Sequence, residues 1–268
     1  MLRERLLTAG VLIALFLSLI LFLPPAAICG VVVLLVLAAS WEYAELTAPK
    51  QNWADRGLVL ALSSLLPIAA FTGSLPLMAG SLFLPVLALA GRYVLAGGSD
   101  LVHRFDQFLR SLFGIYYVGY GLSHFVLLTN LENWKPWILS ILAVTYLGDG
   151  AAYLVGSALG RTKLSPLLSP KKTVEGALGG LAGSLLAFAV CRILFFPGWP
   201  LGRVIGIALL LGASGQVGDL LESLVKRSVG AKDSGTWLPG HGGILDRIDS
   251  ILLSGPVGYY LAIAISTA

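Results

Sequence analysis

The sequence predicts an all-α, polytopic integral membrane protein with about nine transmembrane helices and a cytoplasmic N-terminus. Hydrophobic residues make up 57% of its 268 residues and charged residues only 12%. A soluble domain usually carries about 25% charged residues. The mean hydropathy is +0.86. Apolar runs recur along the whole chain, and most Lys and Arg residues fall between alternate runs, as expected for helices that cross a bilayer repeatedly.

Each predicted span is an apolar run close to the roughly 20 helical residues that cross a bilayer core. The basic start "MLRER" resembles a secretion signal, but no small-residue cleavage site follows it cleanly. We therefore interpret the first apolar run as a true span. The nine predicted spans are about 6–23, 26–47, 57–73, 75–97, 111–130, 136–158, 174–196, 201–222 and 250–267.

Charge asymmetry predicts the orientation of these spans. With the N-terminus inside, fourteen of the 18 Lys and Arg residues fall on the cytoplasmic side and two on the other. The loops 159–173 and 223–249 then face the cytoplasm, at the inner membrane. We expect residues 1–130 to be membrane-anchoring helices and residues 131–268 to form a catalytic membrane domain. The net charge of +4 is explained by topology, and we expect no nucleic-acid partner.

The stretch "GQVGDLLESLVKRSVGAKDSG" places charged residues at the inner end of the eighth span. Asp219, Glu222 and Lys226 are spaced by three and four residues, so a helix places them on one face. Ionisable residues at membrane depth are costly and usually functional. The alternative is that both carboxylates lie in the headgroup layer and pair with Lys226 or Arg227.

The stretch "HGGILDRID" follows, just before the ninth span. Asp246 and Asp249 flank Arg247 and share a face if the segment is helical. Gly242 and Gly243 permit positive φ or close backbone approach, which suits a loop that presents N–H groups to an anion. We predict that carboxylates from two span ends converge here among basic residues.

Carboxylates among lysines and arginines favour a magnesium–polyphosphate site. Zinc is not favoured, because no thiolate is near and the three histidines do not cluster in sequence. Neither a P-loop nor a nucleophile elbow is present. A Ser234–His241–Asp246 hydrolase triad could be assembled from this region, but the spacing does not favour it over chance.

The loop "GRTKLSPLLSPKKTVEGALGG" offers a second anion site. Ser169 followed by proline predicts a helix N-cap, which would put Lys171, Lys172 and Thr173 at a helix N-terminus, where anions are stabilised. The alternative for the lysines is ordinary positive-inside anchoring.

Two further carboxylates need a reason to lie where they do. Glu175 follows this predicted N-terminus, and Asp149 falls in the inner half of the sixth span. Asp149 would ligate a cation or pair with a nearby base, and a structural ion pair is the alternative.

The segment Ser223–Asp249 resembles the signature of the phosphatidate cytidylyltransferase family, also called CDP-diglyceride synthetases. That signature runs serine, a spacer, Lys-Arg, four residues, Lys-Asp, a variable stretch, His-Gly-Gly, an apolar residue, any residue, Asp-Arg, an apolar residue and Asp. Every fixed position is matched here. "SPKKTVEG" and the Asp149 region are also similar to family segments, whereas the N-terminal half shares only its span pattern.

The resemblance implies a membrane enzyme that uses CTP, phosphatidate and Mg²⁺, and one alternative is that a second cation bridges the same site. A homodimer is an expectation from the family alone. By this hypothesis Asp219 and Asp246 hold the metal, with Asp249 and Asp233 as further ligands or as partners of the ligands. The other implied roles are phosphate binding by Lys226, Arg227, Lys232 and Arg247, binding of nucleotide phosphates or lipid headgroup by Lys171, Lys172 and Thr173, and shaping of the anion loop by His241, Gly242 and Gly243.

Overall fold

The computed structural model describes residues 17–49, 51–95, 100–235, 237 and 242–266. Over these residues the chain is almost entirely helical, which confirms the all-α prediction. The helices are α1 Pro25–Thr47, α2 Trp53–Phe71, α3 Leu75–Leu95, α4 Leu101–Gly114, α5 Gly121–Leu128, α6 Trp134–Leu159, α7 Val174–Phe195, α8 Leu201–Ser228 and α9 Leu245–Ser266, with a π-helical stretch Ile115–Tyr120 that joins α4 to α5.

Eight helical segments are long and apolar enough to cross a membrane when Leu101–Leu128 is counted as one. They match eight of the nine predicted spans. The remaining prediction, 6–23, falls largely outside the described residues, of which 17–22 are helical. The fifth span begins about ten residues earlier than predicted, because α4 is amphipathic and its polar face hides it from an apolar-run criterion.

The prediction that Ser169 caps a helix is wrong. Lys163–Ser165 (β1) and Ser169–Thr173 (β2) form an antiparallel hairpin in which Lys163 pairs with Thr173. Pro170 is tolerated because a two-stranded hairpin has only edge strands. The helix begins at Val174 instead, and its cap is Thr173, whose hydroxyl accepts the Gly176 N–H at 3.1 Å.

The described residues form two compact units. The C-terminal unit lies within Met1–Phe22, Leu131–Lys232 and Ile248–Ala268, and the N-terminal unit lies within Leu23–Asn130 and Asp233–Arg247. The signature therefore contributes to both units. The core of the N-terminal unit is an apolar cluster of Val59, Leu62, Leu66, Leu89, Tyr93 and Ile115.

In the C-terminal unit, small residues allow α6, α7 and α8 to approach closely. An ideal Cβ on Gly180 of α7 would lie 2.7 Å from Gln216 Nε2 of α8 and 3.0 Å from Ala152 Cβ of α6. Because membrane helices gain little from hydrophobic association, such close packing is a main source of their stability. It also brings the segment of α6 that carries Asp149 close to α8.

Candidate active site

Three carboxylates from three helices meet in the C-terminal unit, and we call them the carboxylate cluster: Asp149 on α6, Asp219 on α8 and Asp249 on α9. Asp219 and Asp149 lie close enough to Asp249 for their negative charges to repel its carboxylate. Ser250 Oγ donates a hydrogen bond to Asp149 Oδ2 at 3.0 Å, which links α9 to α6. The sequence predicted that Asp219 converges with Asp246, with Asp249 as a further ligand or a partner of the ligands; in the C-terminal unit, Asp219 lies with Asp249 and Asp149.

The approach of α8 to α9 positions two members of this cluster. An ideal Cβ on Gly218 would lie 2.6 Å from the Asp249 carbonyl oxygen. Only glycine fits that approach without a backbone shift. Asp219 follows this contact directly in sequence, so its side chain starts where the two helices touch.

Two lysines balance charge around the cluster. Lys172 Nζ, on β2, forms an ion pair with Asp219 Oδ2, and both side chains are partly exposed. Lys226 forms an ion pair with Glu222 one turn earlier on α8, and Glu222 is fully buried. The face shared by Asp219, Glu222 and Lys226 is therefore confirmed. Glu222 pairs with Lys226, as the alternative interpretation expects, whereas Asp219 pairs with Lys172 of the hairpin.

Other basic residues of the predicted site have different surroundings. Arg227 donates from Nε to the Leu168 carbonyl oxygen at 3.2 Å and from Nη1 to the Ala231 carbonyl oxygen at 2.7 Å. The first bond ties the end of α8 to the hairpin turn, and the second ties it to the chain that follows α8. Lys171, Lys232 and Arg247 are exposed, as is Asp233. Their phosphate-binding and metal-binding roles stay predictions.

Glu175 and Thr173 organise the entry to α7. The Glu175 carboxylate accepts backbone N–H groups from Arg161 and Thr162 at 3.1 Å each. Together with the Thr173 cap, this fixes the hairpin against the first turn of α7. Because Lys172 directly precedes Thr173, the same contacts help to position Lys172 beside Asp219. A direct substrate contact by Glu175 or Thr173 stays a prediction.

In the N-terminal unit, Asp246 joins the two parts of the signature loop that the structure describes, at Ser234 and at Gly243. Its Oδ2 accepts the backbone N–H of Ser234 at 3.0 Å and that of Gly243 at 2.9 Å. Gly242 has φ +79°, so the expected positive φ is confirmed. The Gly243 N–H predicted to face an external anion bonds instead to the protein's own carboxylate. His241 lies outside the described residues.

Sequence reasoning missed Glu42, on α1. Its carboxylate accepts the Leu245 N–H at 2.9 Å, and the residue is 1% exposed. The signal was available, because an ionisable residue inside the predicted span 26–47 is costly and usually functional.

The donor chemistry of the carboxylate cluster fits a divalent cation. Among the residues that the structure describes, no three His, Cys, Asp or Glu side chains are arranged to hold a metal by themselves. Mg²⁺ does not require this, since one or two carboxylates, waters and substrate phosphates usually complete its six ligands. Asp219 and Asp246 belong to different units, so their convergence on one metal stays a prediction.

Helices able to span a membrane and a half-buried cluster of carboxylates and lysines define an integral membrane protein with a charged site. The chain belongs to the cytidylyltransferase family, whose model matches residues 3–265. The resemblance drawn from the signature is therefore confirmed.

Several proteins share about two fifths of their aligned residues with this chain. The uncharacterized protein YnbB of Escherichia coli is 40% identical over 188 residues, covering 67% of this chain and 63% of YnbB. The phosphatidate cytidylyltransferase of Bacillus subtilis is 41% identical over 146 residues, or 54% of each chain. That of Synechocystis is 39% identical over 182 residues, covering 57% of this chain and 61% of the relative. The chain thus spans less than two thirds of the length of these relatives.

Proposed function

We propose that this protein is a phosphatidate cytidylyltransferase, which transfers CMP from CTP to phosphatidate and releases pyrophosphate. The observation that carries the proposal is the carboxylate cluster, flanked by Lys172 and Lys226, in a chain whose residues 3–265 match the family model. The names of the Bacillus and Synechocystis relatives support the same substrates. A homodimer and the lack of a nucleic-acid partner stay expectations.

The reaction needs charge neutralisation and alignment more than it needs a base. A phosphate oxygen of phosphatidate attacks the α-phosphorus of CTP, the bond from that phosphorus to the β-phosphate bridging oxygen breaks, and pyrophosphate leaves with its electron pair. The nucleophile is already an anion near neutral pH. Positioning and electrostatic stabilisation therefore supply most of the rate enhancement, as in other phosphoryl transfers.

The chain's own residues divide these tasks in the proposal. Lys172 binds a substrate phosphate by exchanging part of its pairing with Asp219, and Lys226 contributes positive charge beside Asp249. Asp219 and Asp249 hold Mg²⁺, with Asp246 and a second bridging cation as further parts of the hypothesis. When bound, the cation neutralises phosphate charge and orients the polyphosphate.

The orientation predicted from the charge distribution supports this use of substrates. CTP is water-soluble and phosphatidate is a membrane lipid, so the site must open at a membrane boundary. The excess of Lys and Arg on one side of the predicted spans supports a cytoplasmic site at the inner membrane.

Product analysis tests the proposal. The purified protein in detergent is given phosphatidate, radiolabelled CTP and Mg²⁺, and the lipid products are separated. CDP-diacylglycerol and pyrophosphate in equal amounts are expected. A phosphorylated lipid would indicate a lipid kinase, and absence of any lipid product from folded, CTP-binding protein would favour an ion-coupled transporter. Either result would overturn the proposal.

A further inference from the structure

The buried carboxylate of Glu42 holds the start of α9, although it lies about 200 residues away in the sequence and outside the signature. Its Oε2 accepts the N–H of Leu245, the first residue of the helix. The free N–H groups and the dipole at a helix N-terminus stabilise a carboxylate there. Glu42, on α1, therefore contacts the signature segment at Leu245, and both residues belong to the N-terminal unit.

Two glycines of the signature loop enclose this carboxylate. An ideal Cβ on Gly235 would lie 2.7 Å from Glu42 Oε1. An ideal Cβ on Gly243 would lie 2.6 Å from Oε2 and 2.8 Å from Oε1. Side chains at these positions would overlap the carboxylate, so glycine is required at both while Glu42 stays in place.

Glu42 and Asp246 hold the same two chain segments. Asp246 Oδ2 joins Ser234 to Gly243 through their backbone N–H groups. Ser234 Oγ in turn accepts the Asp246 N–H at 3.3 Å. Glu42 lies against the neighbouring Gly235 and Gly243 and binds Leu245, so it stabilises the closure that Asp246 makes.

The burial of Glu42 is costly for a residue with only an anchoring role. Among the described residues its Oε1 has no hydrogen-bond partner. An incompletely paired buried carboxylate lowers stability, whereas an apolar side chain would avoid that cost but leave the Leu245 N–H without its acceptor. Retaining the carboxylate therefore indicates a role in ordering the loop.

We propose that Glu42 is a positioning residue for the cytidylyl transfer: it fixes the signature loop ends so that Asp246 is held in one orientation. This inference rests on the proposed function. It makes a helix of the predicted anchor region part of the catalytic apparatus, without direct contact of Glu42 with substrate.

The test compares three variants of the full-length protein in detergent. Glu42→Ala removes the carboxylate, Glu42→Gln keeps its size and an acceptor for the Leu245 N–H, and Glu45→Gln is the control. Glu45 is an exposed carboxylate on the same helix, three residues further on. Measured quantities are kcat, KM for both substrates, thermal stability, and hydrogen–deuterium exchange of the amides of residues 242–250.

We expect Glu42→Ala to lower kcat on the order of 100-fold, the size typical when a distant change misplaces a catalytic group. Glu42→Gln should lower kcat less, about tenfold, because one hydrogen bond is retained. KM for phosphatidate should stay within about twofold, and amides 242–250 should exchange faster in Glu42→Ala. The Glu45→Gln control should match the wild type in every quantity.

Two results would overturn the inference. One is wild-type kcat and wild-type exchange in Glu42→Ala. The other is lowered thermal stability with kcat unchanged, which would assign Glu42 a structural role alone. If Glu42→Ala does not fold, Glu42→Gln decides by the same criteria. Failure of the proposed function is separate, since it would appear as absence of CDP-diacylglycerol from the wild type, while the exchange measurement still tests the loop contact.

Discussion

Lys172 and Asp219 form an ion pair that joins the β-hairpin to α8 within the C-terminal unit. Asp219 is a predicted metal ligand, and Lys172 is a predicted phosphate-binding residue. The pair is partly exposed, so its own contribution to stability is small. In the proposed reaction this pair opens, so that Asp219 binds the metal and Lys172 binds a substrate phosphate.

Removing Lys172 should therefore reduce activity more than stability. We expect Lys172→Ala to lower kcat/KM for CTP or phosphatidate by about 10²–10³, as for loss of one preorganised donor to a transition-state charge. Steady-state assays at saturating Mg²⁺ measure this. Lys163→Ala is the control, because Lys163 is an exposed lysine of the same hairpin with no assigned role. Equal losses in both variants would show that general positive charge is sufficient.

Asp246→Asn should separate charge from loop closure. The amide oxygen can still accept the Ser234 and Gly243 N–H groups, so we expect the protein to fold with the thermal stability of the wild type within a few degrees. Activity should fall by at least about 10², because a neutral ligand binds Mg²⁺ weakly and stabilises less charge. Thermal melts and product assays measure the two quantities. Full activity would remove Asp246 from the metal site.

Removal of divalent cations should abolish turnover reversibly. With EDTA in excess we expect no CDP-diacylglycerol, and added Mg²⁺ should restore the original rate, because the carboxylate cluster and the triphosphate need a shared counter-charge. Isothermal titration of Mg²⁺ in the presence of a non-hydrolysable CTP analogue provides a readout apart from turnover. Unchanged turnover in EDTA would contradict the metal assignment.

Gly218→Ala tests the packing that places Asp219 and Asp249. The new methyl group would lie 2.6 Å from a backbone oxygen of α9, which cannot rotate away. We expect destabilisation of about 1–3 kcal/mol, as for overpacked cores, together with reduced activity. Gly206→Ala is the matched control on the same helix, since nothing lies within 4 Å of its Cβ position. It should be neutral or slightly stabilising. Similar thermal melts for both variants would refute close α8–α9 packing as the reason for glycine at 218.

Several features of the candidate site could be predicted because they depend on local spacing. Asp219, Glu222 and Lys226 share a face as soon as the segment is helical. The positive φ of Gly242 follows from glycine's lack of a Cβ. The helix start at Val174 was mispredicted, because Ser-Pro is compatible with both a helix N-cap and an edge strand, and only the pairing of Lys163 with Thr173 distinguishes them.

By itself, the sequence determined the membrane class, the eight spans that the structure contains among its described residues, and the family. Apolar length and a contiguous signature are properties of the linear chain. The tertiary structure decided which charges meet. Asp149 joins Asp249 through Ser250, and Glu42 reaches Leu245 across about 200 residues. Such contacts depend on how close-packed helices align along their lengths, and that alignment is set by many small packing terms that no local pattern records.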